Sequence, residues 1–164
     1  MTHSDLCALA VRWLRNSGRC SFVVREPTWH SGGATEQPDA FGFHAPNQTV
    51  LIECKASRSD FLADRAKWFR QYPAWGLGRL RYYLAPTGVL RREDLPPRWG
   101  LILANGETCR RVVKAAPQLV WGQDMETRFA WSLLAKLERR APRLLPDNRL
   151  PPWVNEDEEG AKQA

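Results

Sequence analysis

Close-set metal-ligand pairs are what this sequence most conspicuously lacks. Its four cysteines (Cys7, Cys20, Cys54, Cys109) lie far apart with no CxxC pair, and its three histidines (His3, His30, His44) are equally scattered. Structural zinc is held by ligands that come in close pairs, so a zinc site is not expected. No apolar run approaches the roughly 20 residues that a bilayer-spanning helix needs, which argues against a membrane partner. Nothing at the start reads as a signal peptide, and free thiols in a cytoplasmic protein are the simplest expectation. No internal repeat is visible. Lysine is scarce, and arginine carries nearly all of the positive charge.

What is present fits one domain. A chain of 164 residues can bury a real core, and 43% hydrophobic with 26% charged residues is ordinary for a globular protein. Tryptophan is the exception, at eight residues. Most should be packing anchors, with some left as flat surfaces for a ligand or base. The net charge of +6 is compatible with a nucleic-acid partner, since arginine's planar fork suits phosphate oxygens. Glu156-Asp157-Glu158-Glu159 is acidic, so the folded part is more basic than the total implies.

Periodicity orders the elements. Ser4 or Asp5 can cap a helix to about Asn16, with Leu6, Leu9, Ala10, Trp13 and Leu14 at helical spacing and Gly18 as a stop. Ser21 to Glu26 reads as a strand ended by Pro27, and residues 28–37 as a polar loop. Asp39–His44 and Thr49–Lys55 are two strands joined by a turn at 45–48, a hairpin by its spacing. Ser57 or Ser59 can cap a helix from about Asp60 to Tyr72. Strands follow over Arg79–Ala85, Gly100–Ala104 and Thr108–Val113, the last two joined by Asn105-Gly106. A final helix is expected from Asp124 to Arg140, and residues 142–164 read as a Pro-rich, then acidic, mobile or loosely docked tail. The class is α/β (mixed α+β), a central mixed sheet flanked by helices, with a parallel strand pair across the Asp60–Tyr72 helix.

The chemistry concentrates in Gln37-Pro38-Asp39-Ala40-Phe41-Gly42-Phe43 and Val50-Leu51-Ile52-Glu53-Cys54-Lys55. Side chains alternate along a strand, so Leu51, Glu53 and Lys55 share one face and Val50, Ile52 and Cys54 the other. If the hairpin turns near Pro46-Asn47, Asp39 falls across the ladder from Glu53 and Lys55. Two carboxylates then offer hard oxygen ligands for Mg²⁺ or Mn²⁺. The ammonium can orient or deprotonate an attacking water, or neutralise developing phosphate charge.

Pro38-Asp39, thirteen intervening residues, then Glu53-Cys54-Lys55 resembles the signature of the PD-(D/E)xK nuclease superfamily. The resemblance implies a restriction-endonuclease-like core over residues 1–141 and hydrolysis of phosphodiester bonds in DNA. It implies Asp39 and Glu53 as metal ligands together with the main-chain carbonyl of Cys54, and Lys55 as a catalytic lysine. Lys55-x-Ser57-x-x-Asp60-Phe61, then Asp64, Lys67-Trp68 and Tyr82-Tyr83-Leu84-Ala85, look like a bacterial DNA-repair branch of that superfamily, over roughly residues 20 to 105. Many members add an acidic metal ligand from the first helix. Here that helix offers only Asp5, so Glu26 and Glu36 compete for the role, with Glu26 preferred.

Supporting residues have two readings each. Ser57 and Arg58 precede a helix N-terminus and suit a nucleic-acid phosphate, although Ser57 serves equally as a plain cap. Lys67, with Asp64, either supports the site and its nucleic acid or is a solvated helix charge. His30 and His44 are candidate bases or ordinary loop histidines. A non-cleaving nuclease-fold module that binds nucleic acid or protein is the alternative function. A homodimer is one way for so small a chain to cut both strands.

Overall fold

In the computed structural model, residues 1–27, 36–45 and 47–140 are described. The chain divides into two units, Met1–Ala130 and Trp131–Ala164, and the described part of the second, 131–140, is helical. His30 and the expected tail over 142–164 lie outside the described residues. Among the described residues no helix is long and apolar enough to cross a membrane.

The first unit is a mixed α+β structure built on one six-stranded sheet. Its strands are β1 (Phe22–Arg25), β2 (Ala40–Ala45), β3 (Gln48–Cys54), β4 (Leu80–Pro86), β5 (Gly100–Asn105) and β6 (Thr108–Val113). They lie side by side in sequence order. β1, β2 and β3 form an antiparallel meander, β3, β4 and β5 run parallel, and β6 returns antiparallel to β5. The parallel β3–β4 pair matches the expected strand–helix–strand passage. Both hairpin turns use left-handed backbone, at Asn47 (φ 56°) and Gly106 (φ 59°).

Helix α1 (His3–Asn16) covers one sheet face. Its buried Leu6, Leu9, Ala10, Trp13 and Leu14 sit at the spacing of a single helical stripe. They meet Ala40, Val50, Ile52, Cys54, Tyr82, Leu84, Ile102 and Ala104, the apolar side of the strands. Full burial of a leucine such as Leu6 or Leu14 contributes about 1.5–3 kcal/mol. Trp13 leans on Tyr82 with ring centroids 5.3 Å apart. Gly100 admits the Tyr82 ring, since a Cβ there would fall 2.2 Å from it. The N-cap of α1 is Thr2 rather than Ser4 or Asp5. Thr2 Oγ1 accepts from the Asp5 N–H, and the Asp5 carboxylate accepts from the Thr2 N–H, a reciprocal box that Ser4 is two positions too late to make.

The opposite face carries Phe41, Leu51, Glu53, Arg81 and Tyr83, and is more polar. Phe41 meets Phe129 of α4 (Gln123–Arg140) edge-on at 5.3 Å. Tyr83 stacks on Trp99 at 4.4 Å and takes Phe61 on its edge at 5.0 Å. Arg81 is fully buried, and its guanidinium donates to the carbonyls of Pro73, Gly76 and Gly78 at 2.7–3.0 Å. That satisfies a loop that has no ladder of its own.

One expected helix is two. The Asp60–Tyr72 segment forms α2 (Arg58–Arg65), capped by Ser57, and a single turn α3 (Trp68–Gln71). Lys67 between them is extended (φ −64°, ψ 132°). On an unbroken helix Asp64 and Arg70, six positions apart, would point about 120° apart. The break lets both reach the same buried point.

Glu126, at the start of α4, accepts from Thr49 Oγ1 at 2.8 Å and from the Gly78 N–H at 2.7 Å. Burial raises its pKa above the usual glutamate value, and these two donors pull the other way. The folded chain therefore binds this proton more tightly than the unfolded chain. The contribution to stability is full below the unfolded carboxyl value of about 4.3 and is lost as pH rises through the raised folded value. A Glu126→Gln variant keeps the accepting oxygen and removes the titration. Its melting temperature relative to wild type should rise between about pH 4 and pH 8. A difference that is flat or falls with pH would contradict the assignment.

Candidate active site

Asp39 stands one residue before β2 and Lys55 one residue after β3, so the hairpin brings its two open ends together. Pairing of Ala40 with Ile52 and Phe41 with Leu51 sets Asp39 opposite Glu53, the register anticipated from the sequence. Asp39 Oδ2 accepts from the Cys54 N–H at 2.7 Å, which fixes the carboxylate against the neighbouring strand. Lys55 extends the β3–β4 ladder, donating its backbone N–H to Leu84 O at 2.9 Å. Glu53 and Lys55 share a face as alternation requires, with Lys55 Nζ 3.2 Å from Glu53 Oε2.

These side chains differ in access. Glu53 and Lys55 are 3% and 5% exposed, whereas Asp39 is 17% exposed and forms the open edge. Burial and the Glu53 charge push Asp39 up to about 6, against the Cys54 N–H, Lys55 and His3. Burial also works against the Lys55 ammonium, but Glu53, Asp64 and Asp39 outweigh it and raise its pKa.

Behind the pair lies a buried ionic cluster centred on Arg70, a residue that sequence reasoning did not find, although Asp64 and Glu36 were named from the sequence. Arg70 Nε donates to Asp64 Oδ2 at 2.8 Å, and Nη2 reaches Asp64 Oδ1 at 3.1 Å. The same guanidinium pairs with Glu36 and lies 3.0 Å from Glu53 Oε1. Asp64 also faces Lys55 at 3.4 Å and Lys67 at 3.1 Å, and accepts from the Tyr83 hydroxyl at 2.9 Å. Burial would raise Asp64, but Arg70, Lys55 and Lys67 hold it far below the usual carboxylate range. Asp64 thus supports Lys55 from behind. Of the two competing glutamates, Glu36 is buried in this cluster and Glu26 is not.

Glu26 lies at the other side of Asp39. It directly follows β1 in left-handed backbone (φ 39°) and donates its N–H to Asp39 O at 2.9 Å. Its carboxylate is 3.8 Å from His3 Nε2, which is itself 3.4 Å from Asp39 Oδ1. His3 and Cys7 are one turn apart on α1, with Nε2 and Sγ 3.3 Å apart. The sequence therefore does hold a close ligand pair, of mixed type, at a spacing that neither a CxxC pattern nor paired histidines would mark. His44 is not near these groups in bonding terms; its Nδ1 meets Arg19 O at 2.8 Å.

A hard divalent ion fits the oxygen donors present. Glu53 Oε1 is a buried oxygen without a hydrogen bond among the described residues, because Arg70 Nη2 is close but out of line. Asp39 Oδ1 faces His3 at 3.4 Å rather than the strand, and the Cys54 carbonyl follows Glu53 directly, between it and Lys55 in sequence. Mg²⁺ and Mn²⁺ take such donors and keep further positions for water and phosphate.

The three residues expected to meet nucleic acid all have internal partners. Ser57 Oγ accepts from the Asp60 N–H at 3.2 Å, so it is a working cap. Arg58 pairs with Asp94, and Lys67 with Asp64, though both cations are half exposed. Ala56, Ser57, Arg58, Arg91 and Asp94 line a cavity of about 530 Å³ immediately beyond Lys55.

No family model matches the chain, and no curated protein matches it. A solved structure of a Silicibacter pomeroyi protein of unknown function is similar, with a TM-score of 0.61 at 24% identity, over 91% of this chain and 98% of that one. The likeness shows the fold.

Removing Arg70 should be among the most damaging single changes. Arg70→Met strands Glu36, Glu53 and Asp64 without their shared cation, at a cost of about 3–5 kcal/mol. Tyr83→Phe removes one hydroxyl donor to Asp64 and should cost about 1 kcal/mol. Urea unfolding midpoints measure both. A loss under about 1 kcal/mol for Arg70→Met would show that the cluster is not what holds these segments.

Proposed function

We propose that this protein is a metal-dependent nuclease that hydrolyses phosphodiester bonds in DNA, in the manner of the PD-(D/E)xK superfamily. The observation that carries the reading is the meeting of Asp39, Glu53 and Lys55 at one end of the β2–β3 hairpin, with an unbonded buried oxygen on Glu53. Asp39, Glu53 and the Cys54 carbonyl would hold Mg²⁺ or Mn²⁺, which when bound supplies Lewis-acid activation of water and of a phosphate oxygen. Asp39 is preset by the Cys54 N–H. Lys55, steadied by Asp64, orients the attacking water and offers its ammonium to the charge that grows on the phosphate. Ser57 and Arg58 line the cavity beyond Lys55, Lys67 offers a half-exposed ammonium, and the excess of arginine suits a phosphate backbone. The described fold sits readily with a restriction-endonuclease-like core, and a role in bacterial DNA repair follows the motif resemblance. Four free cysteines accord with a cytoplasmic setting.

One observation favours the second reading, a module that binds without cutting. Both Glu53 oxygens already face cations, Lys55 at 3.2 Å and Arg70 at 3.0 Å. A site closed on itself in this way needs no ion.

Plasmid and branched DNA incubated with Mg²⁺ or Mn²⁺ separate the two. Wild type should cut, and Asp39→Ala, Glu53→Ala and Lys55→Ala should each lose on the order of 10²–10³ in rate. Salt-sensitive DNA binding that survives Asp39→Ala and Lys55→Ala, with no cleavage of any substrate, would establish the binding module instead. Millimolar Mg²⁺ or Mn²⁺ should also raise the melting temperature of wild type but not of Asp39→Ala.

A further inference from the structure

We propose that His3, Cys7 and Glu26, with Asp39 as the shared fourth donor, form a second cation site, selective for a borderline divalent ion such as Zn²⁺ or Co²⁺. The donor atoms of His3, Cys7 and Glu26 all lie within 4.8 Å of one another. His3 Nε2 is at the centre of the group, 3.3 Å from Cys7 Sγ, 3.4 Å from Asp39 Oδ1 and 3.8 Å from Glu26 Oε1. Ligands of one tetrahedral zinc, at bond lengths of about 2.0–2.3 Å, stand roughly 3.3–3.8 Å from each other. The three distances from His3 Nε2 already have that spacing, and Cys7 and Glu26 lie within 4.8 Å of each other.

Access and attachment suit an ion entering from solvent. Cys7 is fully buried and forms the floor, while His3 and Glu26 are 45% and 48% exposed and form the rim. Three separate elements contribute. His3 and Cys7 share one face of α1, Glu26 directly follows β1, and Asp39 directly precedes β2. Glu26 is set toward the group by left-handed backbone, a conformation that costs energy in a residue with a side chain. Its other oxygen accepts from Arg25 Nε at 3.0 Å, which leaves Oε1 for the rim.

The donor chemistry separates this group from the oxygen site at Glu53. A thiolate and an imidazole favour Zn²⁺ or Co²⁺ over Mg²⁺, which prefers oxygen and keeps its water. On binding, Cys7 gives its proton to solvent and the imidazole binds as the neutral ring. The inference does not require the nuclease reading; the two share only Asp39.

Cobalt reports on the site without any enzymatic assay. The full chain, kept reduced with a phosphine, is titrated with Co²⁺ and followed by visible and near-ultraviolet absorption. One equivalent should give the intense ligand-field bands of a tetrahedral ion and a thiolate-to-cobalt charge-transfer band. Cys7→Ser should abolish the charge-transfer band, and His3→Gln should weaken binding by roughly tenfold or more. Glu53→Gln and Lys55→Ala should leave the spectrum intact, which keeps this outcome distinct from any failure to cut DNA. If Cys7→Ser does not fold, His3→Gln decides, since it alters a half-exposed side chain in the first turn of α1. No charge-transfer band in wild type, or a band unchanged by His3→Gln, would overturn the proposal.

Discussion

The Arg70 guanidinium is the interaction on which the rest of the site depends. Taking an ion out of water costs several kcal/mol even after relaxation, and the cost is met only when its partners are numerous and well placed. Arg70 meets Glu36 from the stretch before β2, Glu53 from β3 and Asp64 from α2, and is itself carried by α3. Four chain segments are thus tied to one planar group. Glu36 extends the tie by accepting the Leu77 N–H, which fixes the start of the passage into β4. Lysine could not replace it, because a single ammonium lacks the fork that reaches three carboxylates at once.

That constraint explains a departure from simple periodicity. A continuous helix through residue 72 would satisfy more backbone hydrogen bonds locally, yet the chain unwinds at Lys67. The lost turn is offset by letting Asp64 and Arg70 converge on the face of the sheet that bears Glu53 and Tyr83. The same face would otherwise bury Glu53 beside Lys55 alone, with no second cation and no support for the lysine from behind.

The parts of the fold and site that could be read in the sequence are those set by short-range rules. Alternation put Glu53 and Lys55 on one face, and the turn at Asn47 fixed the register that sets Asp39 opposite Glu53. The stripe of Leu6, Leu9, Ala10, Trp13 and Leu14 marked α1 and its buried side. Glu36 and Arg70 were not legible as partners, because they meet across 34 positions and no local pattern links them. The helix break was hidden for the same reason, since its cause is a tertiary contact and not a proline or glycine. His3 and Cys7 are the contrary case. Their spacing of four is a plain helical pair, legible only when cysteine and histidine are taken together as ligands.

Asp39 joins the two halves of this chemistry by its position in the sheet. It lies where the strand ladder stops, so its two oxygens are not confined to one side. Oδ2 is held by the Cys54 N–H, and Oδ1 is turned to His3 on the helix that covers the opposite face. A residue one step further into β2 could not do both, because alternation would commit it to α1 or to the ionic cluster. On one side the available donors are oxygens hemmed in by fixed cations; on the other they are a nitrogen, a sulfur and a half-exposed rim carboxylate. On the two proposals, the ion that Asp39 would serve is set by which neighbours complete the shell, and a hard ion drawn toward Glu53 would compete directly with a borderline ion drawn toward His3 and Cys7.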